Sequence, residues 1–201
     1  MEQTKSQKYT YSDYLTWNDD QRYELIDGNV YMMTPSPSPS STHQKISVEL
    51  LRQLANYLQG KICEVYAAPF DVRLNADAED DTVVQPDITV ICDPSKIDER
   101  GCKGVPDMII EILSPSTTQR DQVVKLNRYL KAGVREYWIV SPEARSVHIH
   151  LLTNEQYVIQ AYDETANVPV NILEDCQINL AKVFPPILRV EGPNSPKLPI
   201  E

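Results

Sequence analysis

Two acidic residues stand where acids are costly. Asp87 follows Pro86 at the head of one apolar run, Asp87 to Cys92, and Glu111 lies inside another, Asp107 to Leu113. An ionised carboxylate in a central strand is unfavourable unless it is paired or bound to a metal. Two acids brought together from adjacent strands repel, and a divalent cation relieves the repulsion. Oxygen ligation of this kind suits Mg²⁺ or Mn²⁺. The alternative is an ion pair of Glu111 with Arg120 or Lys125, and spacing alone leaves the two readings even. Lys125 is the third element. It follows Asp121 by four residues on a predicted helix, one turn along the same face. Near a metal-bound carboxylate pair its ammonium could orient or help deprotonate a water and stabilise a pentavalent phosphorane. An exposed ion pair with Asp121 is the plainer reading. His43 opens another predicted helix, and helix N-termini attract phosphate, so it could contact a scissile strand; capping or solvent contact competes. Asp107 also follows a proline, but it begins the strand that already supplies Glu111, so it reads as hydrogen-bonded structure. Ser114 and Thr117 read as helix caps before phosphate contacts. Tyr137 and Trp138 fit a core strand better than a base-stacking platform, because no basic residues alternate with them.

The elements that must position these residues are legible in outline. Tyr11 to Asn18 predicts a short helix with Thr10 as N-cap. Arg22 to Met33 predicts a hairpin, with Asp27-Gly28 as the turn between two apolar runs. The Pro-Ser repeat from Pro35 to Ser40 is a stiff connector outside any sheet. Ile46, Leu50, Leu51, Leu54, Ala55 and Leu58 form a helical stripe within Ser41 to Gln59. Strand-like runs follow at Ile62 to Tyr66, Phe70 to Leu74, Val83-Val84 and Asp87 to Cys92. Asp93 to Val105 reads as a polar crossover. After the Asp107 to Leu113 strand come a helix from Thr118 to Ala132, stopped by Gly133, and a strand from Glu136 to Val140. Ser146 to Leu152 and Gln156 to Tyr162 pair as a second hairpin. The order strand, crossover, strand, helix, strand points to an α/β or α+β chain with a mixed sheet and helices on at least one face.

Composition sets the bounds. The 201 residues, 41% apolar and 24% charged, can fill one ordinary core and are not those of a disordered chain. We expect a single domain over 1–191 and a loose proline-rich tail over 192–201. No apolar run exceeds four residues, which excludes a transmembrane helix. Met1 to Thr10 lacks the apolar stretch of a signal peptide. The four cysteines (Cys63, Cys92, Cys102, Cys176) show no CxxC spacing, and with no export signal they read as reduced thiols of a cytoplasmic protein. The net charge of −10 argues against bulk nonspecific nucleic-acid binding. The charge is uneven, however. Residues 75–99 carry eight acids and one base, and residues 120–135 carry five bases and one acid. Such a pairing suits a site for a metal and an anion, although charge alone favours two ordinary solvated faces.

Pro86-Asp87 followed by Glu111-Ile112-Leu113 matches the skeleton of the PD-(D/E)xK nuclease superfamily. More narrowly, the chain resembles a large bacterial family of restriction-endonuclease-like proteins. The matching stretches are Tyr23 to Gly28, Gln85 to Ile88, Pro106 to Thr117 (PDMIIEILSPST), Asp121 with Lys125, and Gly133 to Val140 (GVREYWIV). The resemblance as a whole covers roughly Tyr9 to Leu152, about three quarters of the chain. Each stretch is weak alone, and their order is specific.

The resemblance implies a restriction-endonuclease-like core: a mixed sheet flanked by helices, with an N-terminal hairpin. It implies that Asp87 and Glu111 bind Mg²⁺ or Mn²⁺, with the Ile112 carbonyl as a third ligand. Glu24 holds the family's upstream acidic position and would be a further ligand or hold a metal water; otherwise it is a surface acid of the hairpin. The superfamily lysine belongs two residues after the acid, where this chain has Leu113. The family pattern moves it to the following helix, making Lys125 the candidate and Asp121 its orienter. Arg120 and Arg128 on that cationic helix would contact phosphates. The expected activity is metal-dependent endonucleolytic hydrolysis of nucleic acid, DNA first. The rival is a catalytically inactive nuclease fold that binds DNA or serves in assembly, favoured by Leu113 and the acidic net charge. No membrane partner is expected. A homodimer is, because a two-fold enzyme suits a duplex cut on both strands.

Overall fold

The computed structural model describes residues 7–19, 21–33, 39–75, 80–114 and 119–186, with the side chains of 119–122 outside that set. Helix α1 (Tyr11–Tyr14) is opened by Thr10, whose hydroxyl and backbone exchange hydrogen bonds with Asp13. It ends well short of Asn18. Strands β1 (Arg22–Ile26) and β2 (Asn29–Met33) form the expected hairpin, with positive φ at Asp27 (50°) and Gly28 (72°) in the turn. Helix α2 (Ser41–Leu58) follows, capped by the Ser40 hydroxyl, which accepts from the His43 amide. Then come β3 (Glu64–Ala67), β4 (Val72–Arg73), β5 (Val83–Val84), β6 (Ile88–Ile91), a 3₁₀ turn (Pro94–Lys96), β7 (Ile97–Asp98), β8 (Gly101–Lys103), β9 (Met108–Ile112) and α3 (Gln119–Ala132). The chain continues through β10 (Glu136–Ser141), β11 (Ser146–Thr153), β12 (Gln156–Asp163), β13 (Asn167–Pro169), β14 (Gln177–Asn179) and α4 (Leu180–Val183).

The strands form two six-stranded mixed sheets and a small pair. One sheet runs β2-β1-β5-β4-β8-β7, the other β12-β11-β10-β9-β6-β3, and β13 pairs with β14. In the second sheet β9 and β10 are parallel and joined by α3, while β6 and β9 are antiparallel. Alternation along its strands divides the core. Ile88, Val90, Met108, Ile110, Ile112, Trp138 and Val140 pack with the apolar stripe of α2 and with the C-terminal residues Ile178 to Phe184. Ile91, Ile109 and Tyr137 pack with Tyr129 of α3 and with Ile26 and Val72 of the first sheet. The central strands β6, β9 and β10 are therefore covered on both faces, while β12 is largely exposed. This explains their near-continuous apolar runs, and it makes any acid they carry on the α3 face a buried acid. Ile110 is fully buried at the centre of the α2-side cluster. Ile110→Ala is expected to cost about 2–5 kcal/mol in a denaturant titration.

Two expectations are corrected, and one unassigned segment proves to be structured. The polar crossover is instead the 3₁₀ turn and the β7–β8 hairpin, built of strands too short to show a period. Its Gly101 has φ 122°, and a Cβ there would lie 2.1 Å from the Asp71 carbonyl oxygen, which also accepts the Cys102 amide. Cys63 and Cys92 are joined by a disulfide rather than reduced, while Cys102 and Cys176 are free and buried. The antiparallel register of β3 and β6 brings the two together across 29 residues of sequence, a separation that spacing motifs do not capture. The segment 167–183, to which no element was assigned, forms β13, β14 and α4. Gln53 of α2 clamps it through two hydrogen bonds to the Asn179 backbone. The proline-rich tail, Thr117 and most of the Pro-Ser connector lie outside the described residues. Among the described residues no helix is long and apolar enough to cross a membrane.

Candidate active site

The β6–β9 register runs Ile88↔Ile110, Thr89↔Ile109, Val90↔Met108. Carried one step further, it sets Asp87 opposite Glu111, both on the α3 face. Asp87 is fixed by the strand edge, its Oδ2 accepting the Ile112 amide at 2.8 Å. Glu111 meets α3. Its Oε1 lies 2.7 Å from Lys125 Nζ and accepts from the Tyr129 hydroxyl at 2.8 Å. Lys125 and Tyr129 are one helical turn apart, so one face of α3 delivers both. Glu24 enters from β1. Buried, it accepts from the Gln85 amide at 2.8 Å and from Lys125 Nζ at 2.9 Å. A single ammonium thus bridges two acids from different sheets. His43, buried at the start of α2, places Nε2 at 3.4 Å from Asp87 Oδ2.

These residues surround a cavity of about 410 Å³, lined among others by Arg22, Glu24, His43, Asp87, Glu111 and Lys125. Burial pushes the Glu111 carboxyl up to about 7; Lys125 opposes the rise, and Asp87 and Glu24 add to it. For Lys125 burial disfavours the charge, but Glu111 and Glu24 outweigh it and hold the ammonium above the ordinary lysine value. His43 is raised by its hydrogen bond to Asp87, against burial, with the Asp87 charge and the Ile112 backbone assisting. Tyr129 stays protonated, through burial first and then the neighbouring carboxylates, so it acts as a donor.

Among the described residues no three His, Cys, Asp or Glu side chains converge as a ready-made metal cluster. The donors nevertheless fit a hard divalent cation. Asp87 and Glu111 offer carboxylate oxygens and Ile112 a carbonyl, and the neighbouring Asp87 and Glu24 charges add to the raised proton affinity of Glu111, a strain that a cation would relieve. Mg²⁺ commonly takes only one or two carboxylates and keeps waters for the rest, so a three-side-chain cluster is not required.

The proposed residues divide plainly. Glu24, His43, Asp87, Glu111, Ile112 and Lys125 line one cavity. Arg128 does not line it: its guanidinium lies 2.8 Å from Asp27 and 3.1 Å from the Thr82 hydroxyl, bracing the hairpin turn. The side chains of Arg120 and Asp121 lie outside the described residues. Asp107 accepts the Cys92 amide at 2.7 Å and Arg135 at 2.9 Å, a tie between strands. Sequence reasoning missed Tyr129, Gln85 and Arg22. Tyr129 was findable as the residue four after Lys125. Gln85 adjoins the Pro-Asp pair, but its role depends on the β1–β5 contact, which no local pattern encodes.

Two strand-borne acids, a helix-borne lysine and a mixed sheet between helices fit the restriction-endonuclease-like architecture that the sequence resemblance implies. The chain belongs to the family described as "Uma2: Putative restriction endonuclease", which it matches over residues 11–181. That membership is consistent with the restriction-endonuclease-like PD-(D/E)xK superfamily. It is 31% identical over 147 residues to the "Uncharacterized protein slr1290" of Synechocystis sp. (strain ATCC 27184 / PCC 6803 / Kazusa), covering 72% of this chain and 73% of that one. The fold is also similar to a crystal structure titled as "a putative nuclease belonging to DUF820" from Anabaena variabilis ATCC 29413. The TM-score is 0.69 at 22% identity, covering 88% of this chain and 97% of the other.

Proposed function

We propose that this chain is a Mg²⁺- or Mn²⁺-dependent endonuclease that hydrolyses phosphodiester bonds, with DNA as its substrate. The observation that carries the reading is Lys125. Leu113 occupies the usual lysine position, yet the Lys125 ammonium lies within 3 Å of both Glu24 and Glu111. The helix-borne lysine therefore supplies the positive charge that the strand position lacks. Asp87, Glu111 and the Ile112 carbonyl would hold the cation. When bound, it supplies Lewis-acid stabilisation of the phosphoryl oxygens and lowers the pKa of an attacking water. Glu24 anchors Lys125 from the side opposite Glu111. Lys125 is then placed to stabilise the negative charge that builds on the phosphoryl group. Tyr129 holds Glu111 in one rotamer by donating to it. His43 steadies Asp87 and offers a proton donor at the cavity wall. A homodimer fits the cutting of both strands of a duplex.

The test is cleavage of plasmid DNA, single-stranded DNA and RNA with Mg²⁺ or Mn²⁺. DNA is expected to be cut, and EDTA to stop the reaction. Cutting of RNA alone would reassign the substrate, and cutting that persists in EDTA would remove the metal from the account.

A further inference from the structure

We propose that Arg22 is the cation with which this site grips the nucleic-acid backbone; the inference rests on the nuclease reading above. Two side chains with permanent positive charge line the cavity among the described residues, Arg22 and Lys125. Lys125 is buried and committed to Glu24 and Glu111. Arg22 is exposed, and no carboxylate of the described residues pairs with it. Its partner is a neutral one. Nε and Nη2 both donate to the Gln85 side-chain oxygen, at 3.0 and 2.5 Å. The guanidinium is held in place without a direct ion pair; the nearest acid acting on it, Asp71, lies behind Gln85.

The support behind it is built in depth. Gln85 is buried, and its side-chain amide donates to Asp71 Oδ1 at 2.8 Å and to the Tyr14 hydroxyl at 3.3 Å. An amide whose nitrogen faces a carboxylate must turn its oxygen the other way, toward Arg22. The Gln85 backbone amide meanwhile holds Glu24. One residue therefore orients both the acid beside Lys125 and the free cation. Arg22 and Glu24 are two residues apart on β1, hence on one face and about 7 Å apart along the strand. Arg22 lines the same cavity as Glu24, Asp87 and Glu111, with its backbone about one nucleotide's length along the strand from that of Glu24. An arginine with fixed orientation and open donors suits a phosphate oxygen.

The experiment is fluorescence anisotropy of a short labelled DNA, single-stranded and duplex, with Ca²⁺ in place of Mg²⁺ and over a series of KCl concentrations. Arg22→Ala is expected to weaken binding about tenfold and to lower the salt slope by about one. Arg22→Lys restores the slope but not the full affinity, because lysine cannot make the forked contact to Gln85. Arg22→Gln removes the charge from an exposed position while keeping an amide able to donate to Gln85, and it is expected to lower the slope as Arg22→Ala does with an unchanged thermal midpoint, which guards against a variant that merely folds poorly. Lys61→Ala removes a like charge at the opposite end of α2 and keeps the slope. Unchanged binding by Arg22→Ala, an equal loss in Lys61→Ala, or no binding by the unaltered protein would overturn the proposal. Cleavage measured in parallel with Mg²⁺ separates the two readings. DNA bound through Arg22 but never cut would sink the catalytic reading and leave this one standing.

Discussion

Lys125→Ala is expected to abolish cleavage and to destabilise the fold by roughly 3–5 kcal/mol at pH 8, the cost of leaving buried charges without their partner. Lys125 and Glu24 are about nine-tenths buried and Glu111 only slightly less so, and one ammonium serves both acids. Without it, two carboxylates face each other with little water. The penalty depends on pH with a definite sign. Glu111 already titrates at about 7 with the lysine present, above the ordinary 4.5. A carboxyl raised in the fold favours folding below its ordinary value, and that contribution is lost as pH rises through the raised one. The variant should therefore be closest to the unaltered protein below about pH 4.5 and furthest from it above pH 7. Urea titrations at the two extremes measure this. Adding Glu24→Gln and Glu111→Gln to the lysine variant should recover most of the stability and none of the activity. A Lys125→Ala protein as stable as the original at pH 8 would mean that the bridge carries little energy.

Asp87→Asn carries the second large effect. Asparagine keeps the size of the side chain and an oxygen able to accept the Ile112 amide. It removes the negative charge that a cation needs. Mn²⁺ affinity measured by titration calorimetry should fall by more than about 100-fold, since even outer partners of a metal ligand are worth 10–100-fold. The thermal midpoint without metal should barely move, because the strand contact survives. Equal Mn²⁺ binding by both proteins would detach Asp87 from any metal site.

Much of this arrangement is legible from single residues. Asp87 and Glu111 stand out as acids at the head of one apolar run and inside another, although spacing leaves an ion pair as an even alternative, and Lys125 and Glu24 are favoured as site residues only by the family resemblance. The hairpin at Asp27-Gly28 and the stripe of α2 follow from turn chemistry and period. What the sequence leaves open is contact between distant segments. Arg128 shares a helix with Lys125, yet three residues of advance turn it from the cavity toward Asp27 and Thr82. Arg22 looks like an ordinary exposed base until Gln85, 63 residues away in the chain, is seen to hold it. Cys63 and Cys92 become partners only through the register of β3 against β6. The short strands β7, β8, β13 and β14 carry too few residues for a period, and they exist because neighbouring backbone completes them.

The most direct measurement is the nicking of supercoiled plasmid by the unaltered protein and by Asp87→Ala, purified identically, with Mg²⁺ and with Mn²⁺. Nicking by the unaltered protein alone, abolished by EDTA, is the expected result and would establish the carboxylate edge as a metal-dependent nuclease site. Equal nicking by both proteins, or none by either on any nucleic acid, would contradict it.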